Sequence, residues 1–237
     1  MKRATFKHKD YFETIDTPLK AYFLGYIAAD GCAQDAGLAN LTLQMTLHEK
    51  DVAVLELLKL ELGSTHKIQT YNKRHESGNV TTHRRLSISN KKLTEDLVNL
   101  GVVQNKTLIL GNIMNNISNE FHDAFCIGYF DGDGTVSKQY SKKFIKSIND
   151  YRSYEGNTLK ASIKGTQELL QGIKDHLGIN NRITKQKGKN VHILRVTSQQ
   201  GIKDFYSMYS GLPFYLERKK LIFDKYMDNH IYQQEII

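Results

Sequence analysis

The chain has 237 residues, 40% of them hydrophobic and 24% charged, which is ordinary for a folded globular protein and excludes wholesale disorder. Its 33 Lys and Arg against 25 Asp and Glu leave a net charge of +8, which favours a polyanionic partner, nucleic acid ahead of an acidic membrane surface. Two cysteines fit neither a disulfide framework nor a thiolate metal site, so Cys32 and Cys126 are expected to be buried, reduced thiols.

The opening "MKRATFKHKDYF" carries positive charge without the apolar core of a signal peptide, and no apolar run approaches membrane-spanning length. A soluble protein of a cytoplasm, a nucleoid or an organelle matrix is therefore expected, not a secreted one and not a membrane protein. The first helix should start at Asp16 or Thr17, both good N-caps, with Pro18 in the first turn, where a missing N–H costs nothing. It runs through "AYFLGYIAADG" (21–31), dense in small and apolar residues and ending on Asp30-Gly31. "LANLTLQMTL" (38–47) then alternates like a strand, and "EKDVAVLELLKLELG" (49–63) reads as an amphipathic helix stopped by Gly63. "STHKIQTYNKRH" and "TTHRRLSIS" make a strand pair around the turn-forming "ESGN" (76–79), followed by a short helix at about 90–100 and by "NKTLIL" (105–110).

The same order returns. "AFCIGYFDGDG" (124–134) ends on Asp133-Gly134, 103 residues after its counterpart. A strand at "TLKASI" (158–163), a helix at "TQELLQGIKDHLG" (166–178), strands at "NRITKQK" and "VHILRVTS", a helix at about 198–209 and "RKKLIF" (218–223) follow. The helix after the second strand is offset by 115, so the second copy holds 12 extra residues just after its Asp-Gly. Each half reads helix–strand–strand–helix–strand–strand–helix. The expected fold is α+β, with two pseudo-symmetric half-domains over residues 1–115 and 116–237.

Gly25 and Ala29 sit four apart on one helix face, and Gly128 and Gly132 repeat that spacing. Small residues at i and i+4 let two helix backbones approach closely, so these helices should form the spine between the halves. Gly inside a helix costs about 0.5–1 kcal/mol against Ala, which only close contact would offset. Gly31 and Gly134 would end the helices as C-cap glycines.

Asp30 and Asp133 would then stand at the C-terminal ends of two touching helices, where the dipole is negative and two carboxylates repel. A divalent cation between them resolves the conflict. All-oxygen ligands suit Mg²⁺, with Mn²⁺ able to substitute, and water and phosphate oxygens complete its shell. Asp131 stands where the first copy has Ala28, an asymmetry that argues for a structural role.

"FLGYIAADG" (23–31) and "CIGYFDGDG" (126–134) resemble the LAGLIDADG motif of homing endonucleases, loosely at the front and well at the end. The resemblance extends from about residue 12 to 227 and implies a single-chain, two-repeat, monomeric endonuclease. Its antiparallel four-stranded sheets would form a saddle over the major groove of double-stranded DNA bearing a long, nearly palindromic site. It implies that Asp30 and Asp133 each hold metal near one scissile phosphate. It further implies basic and polar residues around them: Lys106 and Lys219 at equivalent points of their segments, Arg218 nearby, and Gln44, His48 and Lys164 near the second strands' ends.

A groove-reading sheet needs one polar, basic face. Lys67, Gln69, Tyr71 and Lys73 alternate on such a face, as do His83, Arg85, Ser87 and Ser89; Arg182, Thr184 and Gln186 follow in the second half. The extra segment "SKQYSKKFIKSINDYRSYEG" (137–156) mixes Lys138, Lys142, Lys143, Lys146 and Arg152 with Tyr140, Phe144, Tyr151 and Tyr154, as a longer strand and loop along DNA would. Residues up to 115 hold 15 basic and 12 acidic side chains, net +3, and the rest 18 and 13, net +5, so both halves are positive. The alternative is a non-cleaving binder of the same fold, an intron RNA maturase or a DNA-binding regulator. An intein is not expected, because the chain opens on Met and ends "YQQEII" without the His-Asn end used in splicing.

Overall fold

Thr17 is extended, and its hydroxyl accepts a hydrogen bond from the Lys20 N–H, so it is Thr17 that caps helix α1 (Pro18–Asp30), with Pro18 at the first position. The structure, a computed structural model, describes residues 4–35, 41–102, 110–145 and 148–234. After α1 come β1 (Gly31–Asp35), β2 (Leu41–His48), α2 (Val52–Glu61), β3 (Gln69–Arg74), β4 (Val80–Ser89) and α3 (Lys91–Asn99). The second series is α4 (His122–Asp133), β5 (Gly134–Ile145), β6 (Asp150–Gly165), α5 (Gln167–His176), β7 (Ile183–Lys185), β8 (His192–Val196), α6 (Gln199–Ser207) and α7 (Glu217–Gln234). "NKTLIL", with Lys106, lies largely outside the described residues.

The fold is α+β, with two antiparallel four-stranded sheets in the same order, β1-β2-β4-β3 and β5-β6-β8-β7. Period-two alternation explains both. In β2 and β4, Leu43, Met45, Leu47, Leu86 and Ile88 turn inward against the helices while their neighbours face outward. Leu159, Ala161, Ile163, Leu194 and Val196 do the same in the second sheet.

Helices α1 and α4 are buried all round, Ala21 through Ala29 in one and Ala124 through Asp131 in the other, as befits a spine enclosed by both halves. A Cβ on Gly25 would collide with the Phe125 carbonyl oxygen and stand 2.8 Å from the Tyr129 nitrogen. A Cβ on Gly128 would collide with the Tyr22 carbonyl oxygen and stand 2.8 Å from its carbon. Residues 22 and 25 plus 103 are 125 and 128, so the two contacts are reciprocal about a pseudo-two-fold axis. Ala29 and Gly132 face one another in the same way, and the space holds only one methyl group.

Gly31 and Gly134 are the C-cap residues of α1 and α4, as expected. Both are extended (φ −80° and −92°), not left-handed. Glycine is needed there because a Cβ would strike the preceding turn: Ile27 O at 2.9 Å in one case, the Phe130 ring and carbonyl in the other. Cys32 departs from expectation. Its Cα partner in β2 is Gln44, an outward residue, and it is only partly buried, whereas Cys126 is fully buried.

The extra residues of the second half lengthen its first hairpin, in which β5 and β6 have 12 and 16 residues against 5 and 8 in β1 and β2. Because β6 pairs with β8 only over Ala161–Gly165, the rest of the hairpin forms a two-stranded ribbon beyond the sheet, with a bulge between Lys138 and Tyr140. Register places Met45 level with Ile163, an offset of 118. The 3-10 turn Glu49–Asp51, which has no counterpart between β6 and α5, takes three residues back and restores 115 at the following helix.

Candidate functional site

Asp30 and Asp133 are the last residues of α1 and α4, and both side chains are exposed, unlike the turns before them. The close approach at Ala29 and Gly132 brings the carboxylates to one place, with Asp30 Oδ2 lying 3.5 Å from where a Gly132 Cβ would sit. Tyr129 reports on both. Its phenol is pushed up first by burial and then by the negative charges of Asp133 and Asp30. The Tyr129 hydroxyl donates to the Lys164 carbonyl oxygen (3.0 Å), fixing α4 against the end of β6. Two helix C-termini and two carboxylates thus focus negative potential on one exposed point. Among the described residues no group of three or more His, Cys, Asp or Glu side chains is placed to bind a metal. A cation at this point would be held by the two carboxylates and completed by water, backbone or phosphate oxygens, an arrangement suited to a hard ion.

Behind the carboxylates lies a buried polar network that breaks the pseudo-symmetry. Asp131, where the first repeat has Ala28, is 1% exposed, and its Oδ2 accepts from the Tyr22 hydroxyl (2.9 Å) and the Leu216 N–H (2.7 Å). This is the structural role its asymmetry pointed to. Burial pushes its carboxyl up to about 6, against the lowering effect of the Leu216 bond and of Lys219.

Lys219, which the resemblance places among the basic residues around the metal, is turned toward the helix end that carries Asp133. It is buried, and its ammonium group donates to three carbonyl oxygens at the C-terminus of α4: Phe130 (2.6 Å), Asp131 (2.8 Å) and Gly134 (2.6 Å). Its three donors are thereby used, and the charge lies 4.8 Å from the Phe130 ring centroid. Burial pushes its pKa down to about 8 while the Asp131 carboxylate opposes the shift. Lys219 therefore caps the helix that carries Asp133 and positions that residue.

Arg218 is equally committed. Its Nε and Nη2 donate to the two oxygens of Asp51, both at 2.7 Å, and the pair joins α7 to the 3-10 turn after β2. Lys106 lies outside the described residues. Gln44 points outward beside the strand that leaves Asp30, opposite Cys32. His48 ends β2, where its Nδ1 accepts from the Lys50 N–H, and Lys164 is exposed next to the Tyr129 anchor.

The outer face of the first sheet is polar, as its alternation implied. Gln69 pairs with Arg85, Tyr71 with His83 and Lys73 with Thr81, while Thr46 and His48 of β2 oppose Arg85 and His83. In the second sheet, Ser162 and Arg195 take the outward positions, and Thr184 pairs with Ile193. Level positions on β3 and β7 differ by 115, so Lys67, Gln69 and Tyr71 correspond to Arg182, Thr184 and Gln186. Lys67 and Arg182 are exposed just ahead of their strands, Gln186 lies just after β7, and Lys138 is exposed on β5. Tyr140, Lys142 and Lys143 lie on the ribbon, and their side chains are outside the described residues. No helix among the described residues is long and apolar enough to cross a membrane. Sequence reasoning missed Tyr129, Asp51 and Tyr22. The repeat of Tyr26 at Tyr129 was the available signal for the first.

Comparison with known proteins bears on the fold. Residues 120–209 match the family model described as a LAGLIDADG-like domain. The chain is similar in structure to the LAGLIDADG meganuclease I-AabMI bound to uncleaved DNA, with a TM-score of 0.57 and 16% identity over 92% of each chain. It is similar also to meganuclease I-SmaMI bound to uncleaveable DNA (TM-score 0.58, 16% identity, 92% of this chain and 90% of that one). The homing endonuclease I-WcaI bound to its DNA recognition sequence gives a TM-score of 0.58 at 17% identity over 84% of this chain and 85% of its own. No curated protein sequence matches.

Proposed function

We propose that this chain, which has the two-repeat LAGLIDADG meganuclease fold and a LAGLIDADG-like domain in its second half, is a site-specific endonuclease of double-stranded DNA. The observation that carries the reading is the convergence of Asp30 and Asp133, one from each repeat, at the exposed ends of two touching helices, a donor set that suits a divalent cation. Mg²⁺, or Mn²⁺ in its place, fits that donor set and when bound would neutralise phosphoryl oxygens and lower the pKa of water.

The protein's own part is positional. The glycine contacts of α1 and α4 set the separation of the carboxylates, while Lys219 and the Tyr129–Lys164 bond fix the end of α4. Two outward polar sheets flank the site and offer alternating donors and acceptors to the groove of a long duplex, the β5–β6 ribbon extending one of them. Positive charge in both halves supports phosphate contact along the whole site. A single chain supplies both halves, so a monomer suffices.

A duplex library incubated with the protein and Mg²⁺ tests the reading, with bound and cut products sequenced separately. Enrichment of one long sequence in both pools is expected. Enrichment among bound duplexes with no cut product in Mg²⁺ or Mn²⁺ would instead identify a binding protein of this fold.

A further inference from the structure

Arg85 is held on the outer face of the first sheet by both a hydrogen bond and an aromatic ring. Its Nε donates to Thr46 Oγ1 at 3.0 Å across the β2–β4 pair, and its guanidinium carbon lies 4.8 Å from the Tyr71 ring centroid. Tyr71 is in turn stacked on His83, with centroids 5.5 Å apart and planes 22° from parallel. Thr81 ties His83 to His75 through bonds of 3.0 and 2.8 Å. Partial burial and the neighbouring His48, Lys73 and His75 hold His83 below its usual pKa.

One edge of the guanidinium and one face of its plane are thus fixed, while its terminal nitrogens have no hydrogen-bond partner among the described residues. A guanidinium whose plane is already set loses little rotamer freedom when it engages a flat acceptor pair. In the major groove the acceptor pair that fits it is guanine O6 and N7. Lys73 and Lys67 are exposed and lack such support, so they suit phosphate.

The second sheet has no arginine at the level position; its Arg195, which donates to Thr184 Oγ1 at 2.9 Å, stands two residues along β8, level with Ser87. The position level with Arg85 is Ile193, that of Tyr71 is Gln186, and that of Thr46 is Lys164. We propose that Arg85, positioned by Thr46 and Tyr71, is a specificity-determining residue that reads one guanine in the half-site under the first sheet, with no matching guanine at the symmetry-related position. The proposal rests on the duplex-DNA reading above, and it makes the target asymmetric at this point, whatever palindromy it has elsewhere.

The test is a binding selection from a duplex library with wild type, Arg85→Ala, Arg85→Lys and Thr46→Val, each checked for an unchanged melting temperature. Wild type should enrich guanine at one position of one half-site. Arg85→Ala should lose that preference at that position alone, binding the guanine duplex at least tenfold more weakly and the four bases nearly equally. Arg85→Lys should keep part of the affinity but little discrimination, and Thr46→Val should blur discrimination with a smaller loss. Should Arg85→Ala not fold, the lysine variant alone decides between the outcomes. A uniform loss of affinity with unchanged base preferences would make Arg85 a phosphate contact and overturn the proposal alone. If wild type enriches no sequence, the DNA reading itself fails, and the proposal with it.

Discussion

The contact between the motif helices yields the most demanding prediction, Gly128→Ala. A methyl group at this position meets the backbone of Tyr22, with its carbonyl oxygen in hard overlap, its carbon at 2.8 Å and its Cα at 3.0 Å. A backbone cannot rotate out of the way as a side chain can, so α1 and α4 must part by roughly 1 Å or more to restore normal contact. That movement opens the reciprocal contacts at Gly25 and at Ala29–Gly132, which are packed at the same density. Overpacking of this kind costs about 3 kcal/mol. Alanine's better helix propensity returns at most about 1 kcal/mol. A net loss of about 2 kcal/mol or more is expected in urea unfolding, equivalent to a fall in Tm of about 4–8 °C for a chain of this size. Gly111→Ala, where a Cβ meets nothing nearer than Glu168 Oε2 at 3.7 Å, should stay within about 0.5 kcal/mol of wild type. If Gly128→Ala is neutral or stabilising, the helices are not in the contact described and the carboxylates need not share a site.

Lys219→Met removes the donor to three buried carbonyl oxygens and should cost about 3 kcal/mol in urea unfolding; unchanged stability with lost cleavage would return Lys219 to the chemistry. Asp131 makes stability depend on pH. Its carboxyl is held up to about 6 in the fold against an ordinary 3.8, so the native state binds more protons between those values, and its contribution to stability falls as pH rises through that window. Asp131→Asn should therefore lose ground to wild type at pH 4 relative to pH 6.5 in paired urea midpoints, and an equal difference at both pH values would contradict the burial argument.

Much of this architecture can be read in the sequence because repetition doubles each weak signal. Asp30-Gly31 or Asp133-Gly134 alone is a helix end; together, at one offset and followed by the same elements, they define a fold and a pair of acids. Alternation in "LTLQMTL" and "TTHRRLSIS" likewise identified the outward faces, because a strand's period is unambiguous once one face is apolar. What escaped was set by tertiary context. Gly31 and Gly134 read as helix ends, but the reason that glycine is needed there is the preceding turn folding back onto them. Lys219 and Arg218 are neighbours on a helix that carries charges along much of its length. Which of them turns inward to α4 and which reaches Asp51, 167 residues away, depends on how that helix docks. The bond from Tyr22 to Asp131 spans 109 residues and exists only because the two motif helices touch.

The claim that one carboxylate from each repeat makes a single metal-dependent site is tested most directly by cleavage of the selected duplex. Wild type, Asp30→Asn and Asp133→Asn should be compared in Mg²⁺ and in EDTA, with binding measured alongside. A single metal-dependent site requires cutting by wild type in Mg²⁺ alone, and duplex binding without cutting by either variant. Undiminished cleavage by either Asn variant, or cleavage that persists in EDTA, would contradict it.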